Sequence, residues 1–126
     1  MPNSVSFVKK EENMHSDALV VLTGRAYSLA ISAAQSAADL VLGAGPALAR
    51  IVECERELDE LDREIDERVA VEVALTPVEQ VREKLACLKC MIDLERVGDL
   101  LLSFATRADA VRARLDMQIC ATSAKC

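Results

Sequence analysis

Leu40-Val41-Leu42-Gly43-Ala44-Gly45-Pro46-Ala47-Leu48 divides the chain at its first structural boundary. Two glycines just past an apolar run, followed by a proline that opens the next one, are the signals of a tight helix-to-helix connection. A Gly-x-Gly in this place is a turn and not a phosphate loop, because no strand precedes it and no third glycine follows. Upstream, Leu19, Leu22, Ala26, Leu29, Ala33 and Leu40 recur at helical steps, which predicts a first helix over about residues 4–42 with one buried stripe. Downstream, Ile51, Cys54, Leu58, Leu61, Ile65 and Val69 mark the apolar stripe of a second helix, about 46–74.

The next boundary is Thr76-Pro77-Val78-Glu79. It reads as a capping hydroxyl, a proline at the first helical position and a Glu three residues after the cap. A third helix is therefore expected over about 77–117, with Gly98 as its interior glycine and a tail, 118–126, that frays. Gly98 costs about 1 kcal/mol against Ala inside a helix, and close helix contact is the expected reason for it. Short connections make successive helices antiparallel. The expected fold is all-α: one domain over residues 1–126, an up-down-up antiparallel three-helix bundle.

Composition agrees with a helical core. Of the 126 residues, 52% are hydrophobic but only 2% aromatic, so the core is built from Ala, Val, Leu and Ile, which pack between close helices. The net charge of −6 argues against nucleic acid as a partner, since binding a polyanion needs clustered Lys and Arg. No run of about 20 apolar residues is present, so the chain is not expected to span a membrane. A mean hydropathy of +0.18 in so acidic a chain implies apolar surface left over for a partner or a dimer. Five cysteines are an odd number, and with no recognisable signal peptide they are expected to be reduced thiols in the cytoplasm.

The residues that carry chemistry are acidic. Glu55, Asp59, Asp62 and Asp66 fall four, three and four apart, along one face of the second helix, where like charges repel by a few tenths of a kcal/mol per pair. Alone, this row reads most simply as a solvated face relieved by Arg56, Arg63 and Arg68. On the third helix, however, Glu95 and Asp99 stand in the row Leu88, Ile92, Glu95, Asp99, Leu102, where two carboxylates interrupt apolar neighbours. A buried carboxylate must be paired, protonated or bound to a cation. Glu55 with Asp59 and Glu95 with Asp99 form two E-x-x-x-D pairs able to converge as an oxygen-lined site for Mg²⁺, Mn²⁺, Ca²⁺ or iron, with Asp62 and Asp66 as secondary candidates.

Other chemistry is less well supported. Cys87-x-x-Cys90 lies mid-helix with no second pair at zinc spacing, so core or surface thiols are the better reading. His15 is the single histidine and has no nucleophile in a catalytic pattern. A ferritin-type di-metal enzyme needs Glu-x-x-His on two helices, and the sequence has no such motif. A non-metal alternative is a helical adaptor whose long amphipathic helices dock on a partner protein, with Glu95 and Asp99 meeting its basic side chains.

Leu94-Glu95-Arg96-Val97-Gly98-Asp99 resembles the hallmark LERIGD segment of the PhoU family, differing by Val for Ile. Pro77, Arg82 and Lys89 stand where that family's P…LR…LK pattern puts them, and Glu55-x-x-x-Asp59-x-x-Asp62 is similar to its acidic second-helix motif. The resemblance covers about Leu22 to Arg107. It implies a helical, non-catalytic regulator of phosphate transport and phosphate-starvation signalling that binds multinuclear iron or another metal through Glu55, Asp59, Glu95 and Asp99. The implied partners are the ATPase subunit or permease of a phosphate transporter and a phosphate-sensing histidine kinase. The family pairs two three-helix repeats and this chain has one, so a homodimer that rebuilds six helices is expected.

Overall fold

A computed structural model describes residues 4–43 and 45–125, with side chains from Ala18 onward. The side chain of His15 and the thiol of Cys126, one of the five, therefore lie outside what is described. Three helices make up the fold: α1 (Ser4–Leu42), α2 (Ala47–Leu75) and α3 (Val78–Ser123). Each packs on both of the others, as an up-down-up bundle requires. Gly43 and Gly45 both take positive φ, at 77° and 64°, which is why the α1–α2 connection can turn so tightly. Among the described residues no helix is long and apolar enough to cross a membrane.

The core has two storeys. One is built from Leu19, Ala26, Leu58, Ile65, Met91 and Leu94 among others. The second, at the α1–α2 turn, gathers Ala37, Leu40, Ala47, Ile51 and Ala105. The α1 and α2 stripes read from sequence are largely those buried, with Leu22, Leu29 and Cys54 at the margins. On α3 the buried line runs through Met91, Leu94, Gly98 and Ala105, rotated by one position from the expected row Leu88, Ile92, Glu95, Asp99, Leu102. The reason is closeness: a Cβ built on Gly98 would stand 2.8 Å from Leu58 Cδ1, so the smallest residues face inward where α3 meets α2.

Two further details depart from the sequence reading, and a third lies beyond it. Thr76 does not cap α3. Its hydroxyl donates to the Glu72 carbonyl at 2.5 Å and closes the end of α2, while Pro77 precedes α3 without a side-chain cap. The third helix does not stop near Met117 but continues to Ser123, because nothing between Gln118 and Ser123 breaks it and Ala124 N–H still reaches the Cys120 carbonyl at 3.1 Å. Finally, Lys84 is buried in the α2–α3 interface, only 5% exposed, and donates to Glu72 at 2.6 Å.

Candidate metal centre

The antiparallel run of α2 and α3 brings the two acidic rows face to face. Glu55 lies within electrostatic reach of Asp59 and Asp99, and Glu95 within reach of Asp99, Asp62 and Asp59. Opposite chain directions explain the crossed order, in which Glu55 meets Asp99 and Asp62 meets Glu95, with Asp59 between them. Asp62, ranked second in the sequence reading, thus acts on Glu95 of the third helix as Asp59 does. Asp66 acts on Asp62 and is exposed.

None of these groups is deeply buried. Glu55, Asp59, Asp62 and Glu95 are half-buried and Asp99 is exposed, so the pair on α3 flanks the buried line and does not interrupt it. Water therefore relieves part of the cost that a buried carboxylate would carry. What remains acts on Glu55, Asp62 and Glu95. Partial burial, then the Asp59 and Asp99 charges, hold Glu55 above the usual carboxylate range. Glu95 is raised by partial burial first, then by Asp99 through its charge and a hydrogen bond, then by Asp62 and Asp59. Asp62 is raised by partial burial and by Asp66 and Asp59, with Arg63 opposing.

Of the arginines expected to relieve the row, Arg63 acts on Asp62, while Arg56 and Arg68 serve a different row. Arg56 pairs with Glu53 at 2.6 Å and with Glu60, and Arg68 with Glu64 at 3.0 Å, all on the outer side of α2. Arg25 reaches across from α1 to Glu57 at 3.1 Å. Among the described residues none of the six candidate acids is ion-paired. Nor do three of them converge on one point as a finished ligand set.

Partial burial, reinforced by mutual repulsion, sets the sign of a pH effect. A raised native pKa means that the folded chain holds protons that the unfolded chain has released, so stability falls as pH rises from the unfolded value, about 4.3 for Glu, through the native one. In chelator-treated protein, Glu95→Gln is expected to raise the melting temperature at pH 7 by one to a few degrees, since it removes a few tenths of a kcal/mol per repulsive pair. The difference from wild type should vanish below about pH 4, where Glu95 itself is neutral. Thermal melts of both proteins at the two pH values check this, and a lower midpoint for the variant at neutral pH would contradict it.

Chemically, the ledge offers oxygen donors only, with no histidine among the described residues around it. Such a set suits a hard or borderline cation, whose charge would relieve the repulsion that raises Glu55, Asp62 and Glu95. It contains no nucleophile and no acid–base pair of opposed character. Comparison with curated proteins and with solved structures gave no match. The family model for the PhoU domain matches residues 24–108, a span that holds the whole of α2 and both acidic rows, and the chain belongs to that family of phosphate-transport regulators.

Proposed function

We propose that this chain is a non-catalytic, cytoplasmic regulator of phosphate transport and phosphate-starvation signalling that holds metal ions on the ledge between α2 and α3. Glu55, Asp59, Glu95 and Asp99 are the ligands in this reading, with Asp62 beside Glu95 and Asp66 in support. The observation that carries it is the meeting of acids from two helices with no Lys or Arg paired to any of them among the described residues. A bound divalent ion, or a multinuclear iron cluster, would draw these carboxylates inward and offset their mutual repulsion. The partners it implies are a phosphate transporter's ATPase subunit or permease and a sensor histidine kinase.

Metal analysis of the purified chain tests the reading. Metal is expected at or above one ion per chain by rough ligand count, and Glu95→Ala with Asp99→Ala is expected to lose most of it. A metal-free protein whose melting temperature is unmoved by added Mg²⁺, Mn²⁺, Ca²⁺ or iron would rule out the site, because anything that binds the native state stabilises it. Phosphate uptake in cells lacking the chain is a separate test, and unchanged uptake would reject the regulatory role.

The exposure of Asp66 and Asp99 favours a second reading, in which the ledge docks on basic side chains of a partner protein. It keeps the regulatory role and dispenses with the metal. Partner binding that weakens with salt and ignores chelators would select it.

A further inference from the structure

The last third of α3 extends past the bundle. A Cβ built on Gly43, just beyond the end of α1, would stand 2.8 Å from the Arg112 guanidinium, so α1 ends beside Arg112. The third helix goes on to Ser123, about 16 Å further, and every residue from Asp109 to Lys125 is exposed. A lone helix of this length is marginal in water, where helices are held chiefly by packing an amphipathic face. The face is there: Phe104, Ala108, Val111, Leu115 and Ile119 recur in steps of four, three, four and four. Phe104 to Leu115 form one wall of a groove, and Val41 and Leu42 of α1 form the other. Of these apolar side chains all but Ala108 are exposed.

Charge separates this stretch from the rest of the chain. Residues 100–125 hold Arg107, Arg112, Arg114 and Lys125 against Asp109 and Asp116, a net charge of +2 in a chain of −6. By helical spacing Arg107 and Arg114 border the apolar stripe on one side and Arg112 on the other, while both aspartates fall further round the helix. The same spacing puts Glu95 and Asp99 on the opposite side of α3, so the acidic ledge is a separate surface. Arg107 and Arg112 line the groove itself, and Asp39 of α1 does not. Among the described residues none of Arg107, Arg112 and Arg114 is ion-paired.

An apolar stripe about four turns long between basic borders matches a helix whose own apolar stripe is bordered by Asp or Glu, laid into the groove. An anionic membrane is a poorer match, because a chain of net charge −6 is repelled by the leaflet that these arginines would approach. A second copy on this face is poorer too, since it sets arginine against arginine.

We propose that the groove between the end of α1 and the last third of α3 receives an acid-bordered amphipathic helix of a partner protein. This goes beyond the regulatory reading, and neither metal nor the ledge acids take part. Displayed helical peptides of about 18 residues, with glutamate borders and a randomised apolar stripe, are to be selected on the full chain. Binders are expected, and replacing their glutamates by lysine should abolish binding even though the chain is acidic. Arg107→Glu with Arg112→Glu, both at exposed positions, should weaken them on the order of tenfold while helicity by circular dichroism is retained. Phe104→Ser should weaken them as well. Chelator, or Glu95→Gln with Asp99→Asn, should leave the affinity unchanged. Unchanged phosphate uptake in cells lacking the chain would reject the regulatory role without touching this result. The proposal is overturned if no peptide is recovered, if the peptides ignore the arginine reversal, or if phosphatidylserine vesicles bind through these arginines and the peptides do not.

Discussion

Glu72→Ala is expected to destabilise the bundle by about 3–5 kcal/mol, a drop of roughly 10–20 °C in melting temperature for a chain of this size. The Lys84 and Glu72 side chains are 6% and 11% exposed, and their 2.6 Å contact joins the last turns of α2 to the second turn of α3. Removing the carboxylate strands an ammonium among apolar neighbours, and that desolvated charge is what costs so much. Surface bridges differ: Arg56 with Glu53 sits in water, and its loss should cost far less. Glu72→Gln, which keeps an acceptor but not the charge, is expected to fall between wild type and Ala. Adding Lys84→Met to Glu72→Ala should recover much of the loss, because an apolar stem of similar length then fills the same space. Chemical denaturation of the four proteins measures these differences, and a loss under about 1 kcal/mol for Glu72→Ala would place the pair with the surface bridges.

Nothing in the local sequence marks Lys84. It sits among Arg82, Glu83 and Leu85, and its partner lies twelve residues back across the turn, so only the packing of α2 against α3 reveals that it is inside. The same limit explains the misplaced α3 stripe. Large apolar side chains dominate a pattern read by hydrophobicity, yet where two helices approach most closely the inward positions go to Gly98 and Ala105, which carry little hydrophobic signal. Helix number, direction and the boundaries at the two turns were legible within a residue or two, because Gly43, Gly45 and Pro77 act through the backbone and need no partner, whereas the far end of α3 has no such residue and was placed six residues short. Thr76 was misread for a related reason: a hydroxyl between two helices can serve either end, and the Glu72 carbonyl is the acceptor it reaches.

The acidic ledge was legible in kind but not in detail. Spacing alone places Glu55, Asp59 and Asp62 on one line and Glu95 and Asp99 on another, and antiparallel packing brings the lines together. Which acid faces which depends on the axial register of two helices, a quantity that no residue encodes by itself. It is set by Lys84 with Glu72 at one end and by Leu58 over Gly98 in the middle. A shift by one turn, about 5.4 Å, would separate Asp62 from Glu95. The contacts that hold the register are therefore positioning residues for the ledge, although none of them is acidic at the site.

Leu58→Ala tests that link with a second large effect, an expected loss of about 2–5 kcal/mol from the cavity left at a position only 1% exposed. Gly98→Leu in the wild-type background is expected to cost about 1–3 kcal/mol or more, since a Cβ added there would stand 2.8 Å from Leu58 Cδ1, closer than van der Waals contact. Helix propensity works the other way, returning up to about 1 kcal/mol for the lost glycine, so the measured cost is the overlap less that gain. Combined, the large-to-small and small-to-large changes exchange volume across one contact. The double variant should be more stable than the sum of the two losses predicts, by about 0.5–3 kcal/mol of coupling. Additive losses would mean that the two positions do not touch. Because the exchange also changes the spacing of α2 and α3, the double variant should bind less metal on the ledge than wild type even where its fold is restored, whereas a core swap remote from Gly98, such as Ile51→Val, should leave metal content unchanged.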